Sequence, residues 1–98
     1  NVIKIIKVPG VFEIPVTISK NIKKYDAFLA LGCVIKGETP HFDFISHAAT
    51  IAIMNLSVGS KKPIGNGIIT CLNMKQAKVR KKKGAEAAKA VISILSQI

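Results

Sequence analysis

The sequence predicts an α/β domain built on a parallel sheet covered by helices, and three observations carry that prediction. Apolar runs of strand length alternate with helix-length segments three times within 98 residues. The run 27–35, Ala-Phe-Leu-Ala-Leu-Gly-Cys-Val-Ile, is apolar almost without a break, the pattern of a strand buried on both faces. The stretch after it, Lys36-Gly37-Glu38-Thr39-Pro40-His41, changes at once to a polar turn and a helix start. Strand, helix and parallel strand in succession place helices on the faces of one sheet.

The elements follow in order. Residues 2–8 alternate β-branched side chains around Lys4 and Lys7 and read as a first strand, stopped by Pro9-Gly10. A helix is expected over 11–22, with Pro15 tolerable only in its first turn. Lys23 and Lys24 connect it to the second strand, 27–35. A helix over 40–56 then carries Phe44, Ala48, Ile51 and Leu56 near one apolar face, widened by Phe42, Ile45, Ala49, Ala52 and Ile53. Residues 57–63 form a loop. The third strand, 64–70, is weakened by Gly65 and Gly67 with Asn66 between them, a sign of close backbone approach. Asn73 caps a short helix to about residue 80, and a last helix over 85–98 has Ala88, Val91, Ile92, Leu95 and Ile98 as its packed stripe.

The length allows one domain, 1–98, and an apolar fraction of 49% argues against disorder. No apolar run approaches a membrane span and no signal-peptide pattern opens the chain, so a cytoplasmic location without membrane partners is expected. Cys33 and Cys71 are too few for a disulfide scaffold and read as reduced, buried thiols. Fifteen basic against five acidic residues give a formal charge of +10, with Lys78, Arg80, Lys81, Lys82 and Lys83 clustered. That balance suits small phosphorylated substrates as well as polyanions.

Chemistry converges where the strands end, since ligands of open parallel sheets bind outside their carboxyl edge. The segments assigned there are 9–13, 32–41, Asn66 and 70–73. Gly37 permits the turn, Thr39 is a good N-cap and Pro40 suits the first helical position, so a helix N-terminus with free N–H groups forms an anion site. His41 lies in the same first turn, where the helix dipole favours its neutral form and leaves it available as a base. Phe12 either stacks on a flat ring or is a core contact; Glu13 either orients a polar ring edge or is a first-turn charge. His41 and His47 point to different helix faces, and no cluster has metal-ligand spacing. Nucleotide fingerprints and a Ser-His-Asp arrangement are missing, which leaves condensation or elimination on a small phosphorylated molecule.

Three blocks carry a resemblance: Val8-Pro9-Gly10-Val11-Phe12-Glu13-Ile14-Pro15, Lys24-Tyr25-Asp26-Ala27, and Leu31-Gly32-Cys33-Val34-Ile35-Lys36-Gly37-Glu38-Thr39-Pro40-His41-Phe42-Asp43. In this order and spacing they resemble the signature blocks of 6,7-dimethyl-8-ribityllumazine synthase. The resemblance implies a flavodoxin-like, three-layer αβα sandwich and the penultimate step of riboflavin biosynthesis. That step condenses 5-amino-6-(D-ribitylamino)uracil with 3,4-dihydroxy-2-butanone 4-phosphate and releases phosphate and water, with no metal or organic cofactor. By position, the resemblance makes His41 the proton-transfer residue. Val11, Phe12, Glu13, Cys33, Val34 and Ile35 border the pyrimidine and ribityl chain, Glu38 and Thr39 hold the phosphate, and Arg80 of a neighbouring subunit completes it. Asn66 takes a ring-flanking position and Lys83 lies close to the site. Pentameric rings, sometimes stacked into icosahedral shells, are the implied assembly, with no nucleic acid involved.

The chain also departs from the family pattern. The family's opening strand and helix are not in these 98 residues; that strand lies inside the sheet, so an N-terminally incomplete domain is expected, its 2–8 and 27–35 strands lacking the neighbour between them. Asn66 replaces a usually aromatic wall, and the loop after Arg80 is short and lysine-filled. These departures keep two other readings in view, an inactive assembly scaffold and a nucleic-acid-binding module built on the lysine cluster.

Overall fold

The computed structural model of the chain describes residues 3–36, 41–71 and 83–97. A single 3-10 turn, Val11–Glu13, leads into helix α1, Ile14–Asn21. The helix expected over 11–22 starts late for a chemical reason. Pro15 has no N–H for the carbonyl four residues back at Val11, so that carbonyl is taken by the N–H of Ile14 and the chain is still in a 3-10 turn there. Strand β1, Phe28–Ile35, follows, then helix α2, His41–Ser60, strand β2, Ile64–Cys71, and helix α3, Lys83–Leu95.

The two strands pair in parallel and in register from Phe28↔Ile64 to Ile35↔Cys71. The ladder is extended at both ends, by Phe28 N–H to Pro63 O at 3.0 Å and Lys36 N–H to Cys71 O at 2.8 Å. A parallel pair requires a crossover, and α2 supplies it. Because side chains alternate along a strand, the sheet has two distinct faces. Ala30 and Ile68 join Ile14, Ile18, Ala49 and Ile53 in one buried cluster, which places α1 and α2 on that face. On the other face a Cβ at Gly65 would lie 2.8 Å from the Ala87 carbonyl oxygen, and one at Gly67 would lie 3.3 Å from Gly84 Cα, so α3 covers that side. The result is the α/β layering the sequence predicts, with the close approach signalled by Gly65 and Gly67 now given a partner, the backbone of α3.

Several expectations are corrected. Residues 3–8 form no strand; Ile3 and Ile5 are 88% and 80% exposed. A strand needs a hydrogen-bonding neighbour, and among the described residues the sheet has two strands, neither of which pairs with this segment. Helix α2 runs on through Ser60 instead of stopping at residue 56. It ends where Lys61 takes a left-handed conformation at φ 61° and Ser60 Oγ accepts from Lys62 N–H at 3.2 Å. The inward face of α2 is Ala49 and Ile53 with half-buried Ile45, Ala52 and Leu56; the Phe44, Ala48 and Ile51 face turns outward. In α3, Ala87 and Val91 are buried while Ile92 and Leu95 are exposed, since the glycine strand admits the small Ala87 turn and nothing described covers the next face round. The short helix expected after Asn73, and Ile98, lie outside the described residues.

One long-range tie fixes the end of α1. Lys62 Nζ donates to Ile22 O at 2.5 Å and to Tyr25 O at 3.0 Å, so the residue leading into β2 satisfies carbonyls left over at the end of the first helix.

The packing of α3 on the glycine strand is testable. Gly65→Ala is expected to cost about 1–3 kcal/mol in urea unfolding, because the backbone carbonyl of Ala87 cannot yield as a side chain would. Gly59→Ala, where nothing lies within 4 Å, is expected instead to add about 0.5 kcal/mol by removing helical glycine entropy. Equal effects at both positions would contradict the proposed fit of α3.

Candidate ligand-binding site

The in-register ladder sets the carboxyl ends of β1 and β2, Ile35 and Cys71, side by side. Next to them, the turn Val11–Glu13 packs on β1: Val11 Cγ2 lies 2.8 Å from where a Cβ on Gly32 would stand, so this glycine is needed to seat the turn. Within the turn Phe12 is 64% exposed, which removes the core-contact reading and leaves its ring free to face a ligand. Val11 and Glu13 are half-buried. Along β1, Val34 packs against the α1/α2 cluster, while Cys33 and Ile35 point to the other face. The structure thus brings together Val11, Phe12 and Glu13 with the strand that ends in Cys33, Val34 and Ile35. It begins α2 at His41, although the imidazole itself is not among the described side chains. Glu38, Thr39 and Arg80 lie outside the described residues.

The cysteines divide. Cys71 is buried at 1% exposure, as expected, but Cys33 is exposed rather than buried. Its thiol is nonetheless held above the ordinary value, first by partial burial and then by the neighbouring Cys71 sulfur, with which it shares a hydrogen bond. That shift favours the protonated thiol over the thiolate nucleophile.

Asn66 and Lys83 meet elsewhere. Asn66 is the third residue of β2, not at its carboxyl end, and its Oδ1 accepts a hydrogen bond from Ile68 N–H at 3.0 Å. An N–H that bonds its own strand's side chain faces the edge away from β1. On that side a groove of about 910 Å³ runs between β2 and the first turns of α2, lined by Asn66, Thr70, Lys83, Asp43, Phe44 and His47. None of Val11, Phe12, Glu13, Cys33, Val34 and Ile35 lines it. Within one chain the residues singled out from sequence fall into two groups on different parts of the sheet. His47, placed from sequence only on a different helix face from His41, and Phe44, expected on the apolar face, both line the groove; only the burial of the Ile45, Ala49 and Ile53 face shows that theirs is turned outward. Among the described residues there is no group of three metal-ligating side chains. Nor is any helix there long and apolar enough to cross a membrane.

A parallel sheet layered between helices and joined by a helical crossover defines an α/β protein of the layered, crossover-connected class. Comparison with known proteins makes this specific: residues 1–98 match the family described as 6,7-dimethyl-8-ribityllumazine synthase, and the chain belongs to that family. It is 43% identical over 97 residues to the 6,7-dimethyl-8-ribityllumazine synthase of Corynebacterium kroppenstedtii, covering 92% of this chain and 61% of that protein. To the protein of the same name from Cutibacterium acnes it is 44% identical over 101 residues, covering 96% and 61%. To that from Agrobacterium fabrum it is 43% identical over 103 residues, covering 93% and 70%. The chain thus spans about three-fifths of the length of the first two of these relatives.

The thiol environment predicts a pH dependence. The protonated form of Cys33 is favoured in the folded chain, so its alkylation by iodoacetamide should rise with a midpoint above that of a free cysteine, and Cys71→Ala should bring that midpoint down. Cys71 should remain unmodified until the protein unfolds. A Cys33 midpoint at or below the free-cysteine value would refute the assigned environment.

Proposed function

We propose that this protein is a lumazine synthase. It condenses 5-amino-6-(D-ribitylamino)uracil with 3,4-dihydroxy-2-butanone 4-phosphate to 6,7-dimethyl-8-ribityllumazine, phosphate and water, as a cytoplasmic enzyme of riboflavin biosynthesis. The observation that carries the reading is the family match over the whole of 1–98, including the unbroken block 31–43, combined with the structure's seating of Val11–Glu13 against the strand that leads into that block.

In this reading Phe12 offers a ring face, Glu13 a polar group, and Cys33, Val34 and Ile35 an apolar border for the pyrimidine and its ribityl chain. Glu38 and Thr39 hold the phosphate at the start of α2, where backbone N–H groups and the helix dipole favour an anion. His41 moves the proton that carbinolamine formation and dehydration require, and Arg80 and Lys83 neutralise the phosphate as it leaves.

The two separate groups of residues support a site shared between subunits. Asn66 and Lys83 lie in a groove that Val11–Glu13 does not reach, so one chain's strand ends and a neighbour's β2 edge would together enclose a substrate. Self-association into pentameric rings, stacked or not into a shell, is the assembly proposed on that ground.

His41→Ala is expected to lower kcat by about 10²–10⁴-fold, the range for loss of a general acid or base. Arg80→Ala is expected to raise KM for the butanone phosphate by about tenfold or more, the size of one lost charge-assisted hydrogen bond. An unchanged kcat in His41→Ala and an unchanged KM for the butanone phosphate in Arg80→Ala, in full-length protein that still binds the ribityl pyrimidine, would refute these roles. The shared site has its own test: if His41→Ala and Arg80→Ala subunits are unfolded, mixed equally and refolded, about a quarter of sites regain both groups and activity returns. No recovery would place both residues in one subunit's site.

A further inference from the structure

We propose that Asn66 is a specificity-determining residue that presents a fixed N–H donor to an acceptor oxygen of the ligand in the β2–α2 groove. This rests on the lumazine synthase reading of that groove and deepens it. An asparagine amide normally leaves open which of its two ends faces a ligand, because oxygen and nitrogen can exchange by a half-turn. Here the strand settles the choice. Ile68 N–H is a donor only, and it lies 3.0 Å from the Asn66 side chain, so the oxygen must be the end that meets it. The Nδ2 group is then the end left for the groove that Asn66 lines, and among the described residues it has no hydrogen-bond acceptor.

The surroundings fit an acceptor. Lys83 lines the same groove and adds a cation, while Asp43, on the facing turn of α2, would repel an acceptor placed beside it and so favours the β2 side. A planar wall at this position would stack on any ring; a donor held by the backbone rewards only a ligand with a carbonyl, hydroxyl or phosphate oxygen at that point. The bond to Ile68 also gives the strand's outer edge one fewer free N–H, so the same side chain has a structural effect that must be separated from its effect on binding.

Asn66→Asp and Asn66→Leu separate the two. Aspartate keeps an oxygen for Ile68 N–H and loses the donor; leucine loses both. In full-length protein, Asn66→Asp should melt at the wild-type temperature yet bind 5-amino-6-(D-ribitylamino)uracil about tenfold more weakly by calorimetry, one hydrogen bond's worth. Asn66→Leu should melt lower and bind as weakly. A parallel titration with inorganic phosphate distinguishes the source of the oxygen: a shift of the Asn66 side-chain amide resonance with the pyrimidine and none with phosphate assigns it to the ring or ribityl chain, and the reverse to the phosphate, either supporting the donor. Wild-type affinity of Asn66→Asp for both the pyrimidine and phosphate, or no amide shift with either probe, would overturn the inference while leaving the enzyme reading intact. Wild-type protein that fails to bind the pyrimidine at all would overturn both.

Discussion

The structure depends on the in-register parallel ladder between Phe28–Ile35 and Ile64–Cys71. Two parallel strands cannot be joined by a tight turn, so the ladder fixes the need for a crossover, and α2 is long enough to return the chain to the start of β2. The ladder also sets which residues share a face. Ala30 and Ile68 go toward α1 and α2, while Gly65 and Gly67 go toward α3. A shift of one residue would place glycines against α2 and the branched side chains against α3, and neither helix would fit.

From that constraint comes the arrangement of the candidate site. Parallel strands end together, so the turn before α1 and the start of α2 are brought to one rim, and Gly32 gives the turn room to seat. The same register leaves the outer edge of β2 unpaired by any described strand, and Asn66 and Lys83 line the groove beside it.

The exposed apolar residues follow the same logic. Ile92 at 62% and Phe44 at 67% exposure lie on the outward faces of helices whose inward faces are packed, while Leu31, on the α3 face of β1 against Gly67 and Gly84, is still 58% exposed. Among the described residues, the two-stranded sheet covers each helix on one side only.

Much of this was legible in the residues. Proline and glycine placement, apolar periodicity and the long Leu31 to Asp43 block determined the order and type of α1, β1, α2, β2 and α3 and the family, because these depend on short-range sterics and on local pattern. Sequence also signalled that something approaches Gly65 and Gly67 closely. What only the tertiary structure decided is which face of each element turns inward, that residues 3–8 stay unpaired, that Cys33 is exposed while Cys71 is not, and that Asn66 turns its oxygen to Ile68. Each of these is settled by a neighbour distant in the chain or by the register of a ladder, and a pairing between strands thirty-six residues apart leaves no mark in the local pattern of either.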